Sequence, residues 1–270
     1  MRIVSGGLRA VATVALLLTT ACISSSDRPV AEASYAVTGL FDATRLLPPP
    51  PADELTRARD LEGVRAAERT RTPEQAAHAE ANSTVDVFLF ASVLGPRFTP
   101  DRVPTTAAFL RRLYRSSTPY LQETKNCWNR QRPFVVDPTL TPLARSLAST
   151  RVRSAPAPLA GAARPSADSP CTAPVADNSY APSYPSGHAV VGVMMAIVLA
   201  EMVPERRAEL FAFGWDYGDA RVISGVHFPS DVEAGRILGT LLVETMQQNV
   251  QFRADLAAAR QELRQVLGYP

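Results

Sequence analysis

Lysine is almost missing from this chain. Of 28 basic side chains in 270 residues, one is a lysine, Lys125, and every other is arginine. Histidine is nearly as scarce: His78, His188 and His227 are the full set, and there are three cysteines. No apolar run reaches the roughly 18 residues that a membrane-crossing helix needs, which argues against an integral membrane protein. No compact group of His, Cys and Asp has metal-ligand spacing, which argues against a metal centre. Excess charge is missing too. The formal charge is +2, and without Arg2 and Arg9 of the N-terminal stretch the basic and acidic residues balance at 26 each. A near-neutral chain offers no general attraction for nucleic acid.

Residues 1–21 read as an export signal: two arginines, an apolar stretch from Ala10 to Leu18, then Thr19-Thr20-Ala21 before Cys22. Two processing routes stay open, lipidation at Cys22 with anchoring to an outer membrane, or plain secretion or periplasmic release after cleavage near Ala21. The small residues before Cys22 fit a lipoprotein site except that leucine falls at Leu18 rather than at position 19. In an oxidising compartment Cys127 and Cys171 form an even pair, so either they are bridged or they are two unrelated buried thiols. Residues 22–51 are polar and then proline-rich, ending Pro48-Pro49-Pro50-Pro51, and are expected to form a flexible, extended arm before a domain over residues 52–270.

The rest of the chain reads as helices. Leu55, Leu61 and Val64 predict an amphipathic helix from Ala52 to about Arg69, and Thr72-Pro73-Glu74 predicts a helix start whose helix turns apolar towards Val85–Phe90. Further helices are expected from Thr105, continuing through Tyr120 to Asn129, from Pro204 to Ala220, from Pro229 past Met246, and from Phe252 to Leu267. Residues 151–184 show no period and predict a long loop. Ala189 to Ala200 is apolar on every side and predicts a buried central helix. With no repeat and no run of alternating strands, the fold class is all-α, a single multi-helix domain.

Three clusters could carry chemistry. Ser183-Tyr184-Pro185-Ser186-Gly187-His188 stands at the mouth of the central helix, where backbone N–H groups, a hydroxyl and a histidine surround one small volume. Lys125 and Arg132 are seven residues apart, about two helical turns, which would set two cations on one face. Arg221, His227 and Asp231 form the third, with the step from His227 to Asp231 crossing into a helix start. The one lysine and two of the three histidines all fall in these clusters, a coincidence that favours a functional anion site over three unrelated structural features.

Lys125 with six residues to Arg132-Pro133, then Pro185-Ser186-Gly187-His188, then Arg221 with five residues to His227 and three more to Asp231 resembles the three-part signature of the phosphatidic acid phosphatase type 2 superfamily. Within it, the hexamer and the proline-rich arm are most similar to bacterial class A non-specific acid phosphatases, over roughly residue 45 to the C-terminus. The resemblance implies the fold shared by acid phosphatases and vanadium haloperoxidases. It implies an acid phosphatase of broad specificity for small phosphomonoesters, with no cofactor and no metal. Lys125, Arg132, Arg221, Ser186 and Gly187 would bind phosphate, His227 would be the nucleophile, Asp231 would orient it and His188 would be the general acid. A vanadium-dependent haloperoxidase and a lipid phosphate phosphatase are the alternatives within the superfamily, and oligomeric state stays open, a homo-oligomer included. Three positions depart from the family wording: Ala220 where serine is usual, Pro182 where glycine is usual, and Ala189 where threonine is usual.

Overall fold

Short polar side chains stand at the entrances of five of the eleven described α-helices. In the computed structural model, which describes residues 34–35, 42–151, 171 and 179–270, Asp42, Asp53, Thr72, Ser186 and Asn249 each accept a hydrogen bond from a backbone N–H of the helix they precede. The elements in order are α1 (Ala43–Leu46), α2 (Glu54–Thr70), α3 (Pro73–Ala81), α4 (Ala91–Leu94), α5 (Pro104–Trp128), α6 (Pro133–Val136) and α7 (Ala144–Thr150). They continue with α8 (Gly187–Met202), a 3-10 turn (Pro204–Arg206), α9 (Arg207–Ile223), α10 (Pro229–Met246) and α11 (Val250–Leu267). Among the described residues β pairing is limited to one isolated antiparallel bridge, Arg151 to Tyr180. The class is all-α, and Ser34–Pro270 forms one compact unit.

Helix α8 is the axis of the packing, apolar on all sides and buried along its length, with α9 and α10 making the most extensive contacts on it. Missing side chains let the backbones approach closely. A Cβ on Gly214 of α9 would lie 2.5 Å from the Gly192 carbonyl oxygen and 2.8 Å from Ala196 Cβ. One on Gly235 of α10 would lie 2.5 Å from the carbonyl oxygen of Ser186. The second contact brings α10 against the entrance of α8, where the Ser186 N–H also donates to the Asp231 carbonyl at 2.8 Å. Gly214→Ala is expected to overpack this seam and cost about 1–3 kcal/mol of stability, read as a lower denaturation midpoint. An unchanged midpoint would contradict so close an approach of α8 and α9.

Three expectations need correction. The helix from Pro73 stops at Ala81 instead of turning apolar through Phe90, because Asn82 bonds back to the His78 carbonyl through both backbone and side chain. The helix expected from Thr105 through Tyr120 is present as one element, α5, which runs 25 residues through Pro119. Lys125 and Arg132 do not share a helix face. Asn129 takes the left-handed conformation at the end of α5 (φ 40°) and Pro133 holds Arg132 extended, so the two cations face each other across a turn. The proline-rich segment up to Pro51 is packed rather than free where described: Tyr35, Ala43 and Leu47 are buried, and the Tyr184 hydroxyl donates to the Pro48 carbonyl. The export signal, Cys22 and most of the 151–184 loop lie outside the described residues. Cys127 and Cys171 are joined as a disulfide, tying that loop to the end of α5.

Candidate active site

Two of the cations stand in the last turns of helices, where the helix dipole favours positive charge: Lys125 at the end of α5 and Arg221 at the end of α9. Lys125 is buried and its Nζ donates to the Pro182 carbonyl at 2.6 Å. Arg132 donates to three carbonyls, from Nε to Ala181 at 2.8 Å, from Nη1 to Val226 at 2.7 Å and from Nη2 to Pro182 at 3.3 Å. Pro182 therefore serves both Lys125 and Arg132 through its carbonyl, a function that the ring in place of the family's glycine leaves intact. Arg221 is 1% exposed; its Nη1 and Nη2 donate to Ser146 and Ser149 of α7, each at 3.2 Å. Those hydroxyls orient the guanidinium where Ala220 has none to offer. Ala189 is buried with its Cβ against the glycine faces at 218 and 235, which leave little room for a larger side chain.

The two histidines enter the same electrostatic environment from different elements. His227 lies just before α10, buried, with Nδ1 3.2 Å from Asp231 Oδ2 and Nε2 2.9 Å from Arg132 Nη1. A guanidinium can only donate and a carboxylate only accept, so Nδ1 carries the proton and Nε2 presents its lone pair. Asp231 occupies the third position of α10 and is fully buried. Its Oδ2 also accepts from Ser183 Oγ at 2.5 Å and from the Phe228 N–H at 2.9 Å. His188, in the first turn of α8, lies 3.1 Å from the Ser83 carbonyl through Nε2, and its ring stands 5.1 Å from that of Tyr217. The carbonyl requires a proton on Nε2, leaving Nδ1 as the nitrogen available for exchange.

Positive charge is crowded here, and the Asp231 carboxylate offsets only part of it. Burial pushes the Lys125 ammonium well below its ordinary range, and Arg132 adds to this. It pushes Arg132 down to about 9 and Arg221 to about 10. Burial, then Arg132, Lys125 and Arg221, holds His227 well below the ordinary histidine value; burial, then Arg221 and His227, does the same to His188. A buried anion would relieve every one of these groups.

The predicted residues Lys125, Arg132, Ser186, His188, Arg221, His227 and Asp231 thus come together, with Gly187 opening α8, where helix N–H groups lack intrahelical partners. Several supporting residues were not singled out by sequence. Arg130 and Asp60 are ion-paired behind Asp231, Ser146 and Ser149 hold Arg221, and Ser83 and Tyr217 hold His188. Arg130 stands inside the Lys125–Arg132 cluster and could have been noticed there. Asp60 is one acid among many on an amphipathic helix and gives no signal.

Three cations and two histidines, carried by α5, the turn after it, α8, α9 and the start of α10, thus lie in one electrostatic neighbourhood. A family model described as the PAP2 superfamily matches residues 114–254. The non-specific acid phosphatase of Salmonella typhimurium is 30% identical over 223 residues, 80% of this chain and 78% of that protein. The one from Salmonella typhi is 29% identical over the same length and shares. A non-specific acid phosphatase of Providencia stuartii is 41% identical over 80 residues, 30% of this chain and 32% of that protein. The chain belongs to the PAP2 superfamily.

Proposed function

We propose that this protein is an exported acid phosphatase that hydrolyses small phosphate monoesters through a phosphohistidine on His227, with no metal in the reaction. The observation that carries this is the tautomer of His227. Asp231 accepts the hydrogen bond from Nδ1–H, and the Nε2 lone pair lies beside Arg132 among the cations. A substrate phosphate draws Arg132, Lys125 and Arg221 onto its non-bridging oxygens, with the Ser186 hydroxyl and the Gly187 N–H as further donors. The Nε–H of Arg221, buried with no acceptor among the described residues, gains one. As Arg132 turns to the phosphate, Nε2 is released to attack phosphorus in line with the ester oxygen.

The P–O bond to the alcohol breaks as the N–P bond forms, and protonated His188 gives its proton to the departing oxygen. Water then attacks the phosphohistidine, His188 takes a proton from it, and inorganic phosphate leaves with His227 neutral again. The same histidine is acid in the first step and base in the second. Export is supported by the Cys127–Cys171 bridge, which suits an oxidising compartment, and by the signal-like start of the chain. Among the described residues no group of three or more His, Cys, Asp or Glu is placed to hold a metal ion, and no helix is long and apolar enough to cross a membrane.

The test is a panel of phosphomonoesters assayed with and without chelator, with phosphate and vanadate as inhibitors. Competitive inhibition by both anions, a higher melting temperature in phosphate and full activity in chelator are expected. At a concentration of 100 times its dissociation constant, phosphate should add about 2.7 kcal/mol of stability. Activity lost to the chelator and restored by metal would contradict the metal-free scheme. Halide oxidation by peroxide in place of phosphate release would overturn the reading altogether.

A further inference from the structure

Behind Asp231 runs a second, inner line of charge that the phosphate-binding residues do not include. Arg130 Nη1 donates to Asp231 Oδ1 at 2.7 Å, and Nη2 donates to Asp60 Oδ2 at 2.6 Å. Asp60 comes from α2, and it also accepts from the Ser230 N–H at 3.0 Å and from the Ser230 hydroxyl. The Arg130 guanidinium lies over the Phe228 ring, 3.9 Å from its centroid, and donates to Ser230 Oγ at 2.7 Å. The side chains of Arg130, Asp60 and Asp231 are 12%, 6% and 0% exposed, so little solvent screens them.

The two oxygens of Asp231 therefore have separate tasks. Oδ1 is held by Arg130 and Oδ2 accepts from three donors, of which the His227 imidazole is the most distant at 3.2 Å. A carboxylate with no other partner would raise the proton affinity of an adjoining imidazole. An imidazolium at His227 would carry a proton on Nε2 and have no lone pair with which to attack. In an enzyme working in acid, that protonation is the first hazard the nucleophile meets.

Resting on the phosphohistidine reading, we propose that Arg130 is a positioning residue: anchored by Asp60, it neutralises Asp231 enough to orient His227 while keeping it the free base in acid. The other charges facing His227 are Lys125 of α5, Arg132 beyond that helix, Arg221 of α9 and, when protonated, His188 of α8. The first three are used up by a bound phosphate dianion. Arg130, on the far side of Asp231, keeps its effect throughout the reaction. The burial of His227 and the nearby cations, Arg130 among them, already depress its proton affinity in the free protein.

The test is the pH dependence of kcat/KM on one aryl phosphate for wild type, Arg130→Gln, Arg130→Lys and Asp60→Asn, with circular dichroism and melting curves to verify folding. Arg130→Gln should move the acid limb up by about one pH unit, because His227 then protonates more readily. Arg130→Lys should move it less. Asp60→Asn, which removes a negative charge and leaves the charge of Arg130 offset by Asp231 alone, should move it down. A merely structural role predicts the same fractional loss at every pH, and unmoved limbs or shifts of the opposite sign overturn the inference. Should Arg130→Gln fail to fold, the shifts in Asp60→Asn and Arg130→Lys decide the matter by the same signs. Failure of the phosphohistidine reading itself looks different: no histidine-linked phosphate in the wild type, whatever the limbs do.

Discussion

His227→Ala is expected to lower phosphate release by at least about a thousandfold while leaving the protein folded. The loss follows from the chemistry, since His227 Nε2 is the lone pair held beside Arg132, while His188 serves as the proton carrier. Survival of the fold follows from the contacts that remain. Arg132 still donates to the Ala181 and Val226 carbonyls, and Asp231 still accepts from Arg130, Ser183 and the Phe228 N–H. The cost in stability should stay within about 1–3 kcal/mol, that of removing one hydrogen-bonded partner from a buried network. Phosphate should still bind, because the cations are untouched, and the variant should melt higher in phosphate than without it. Turnover near the wild-type level would show that another group attacks phosphorus.

His188→Ala is expected to cost about 10²–10⁴ in kcat, and the loss should depend on the leaving group. An aryl phosphate with an acidic phenol needs little help from a proton and should suffer least; an alkyl phosphate should suffer most. The pH dependence follows from the direction of the shift. Burial and the neighbouring Arg221 hold His188 well below its ordinary value of 6.5, so the fraction able to donate a proton grows as pH falls. Activity limited by that donation should therefore decline as pH rises, giving an acidic optimum. A bound phosphate dianion raises the proton affinity of His188, so its midpoint in the kcat profile should lie above that of the free protein. Equal losses on aryl and alkyl substrates would remove His188 from the role of acid.

The chain shows its site more plainly than its connections. Lys125, Arg132, Ser186, His188, Arg221, His227 and Asp231 could all be picked out because each is a rare residue type or stands at a fixed spacing. Chemistry restricts both. Helices with proline or a capping side chain at the entrance were legible for the same local reason, as at Thr72-Pro73 and Phe228-Pro229. What escaped depends on partners distant in sequence. Arg130 and Asp60 are 70 residues apart, and Arg221 and Ser146 are 75 apart. Each looks ordinary alone. The turn at Asn129 escaped for another reason: periodicity carried the helix on towards Arg132, while the left-handed cap and the proline after Arg132 redirected the chain.

The departures at Pro182, Ala189 and Ala220 acquire separate readings in the fold. Pro182 keeps the carbonyl that holds Lys125 and Arg132, and Ala189 fills a space bounded by glycines. At Ala220 the orienting hydroxyl comes instead from α7, through Ser146 and Ser149, so the guanidinium of Arg221 keeps its support from a different element.

The covalent step is tested most directly by trapping it. Wild-type protein mixed with radiolabelled aryl phosphate and quenched in alkali should retain label that is stable to base, lost in acid and located on the peptide bearing His227; His227→Ala should retain none. Label that survives acid and maps to Ser186, or that persists in His227→Ala, would contradict a phosphohistidine at His227.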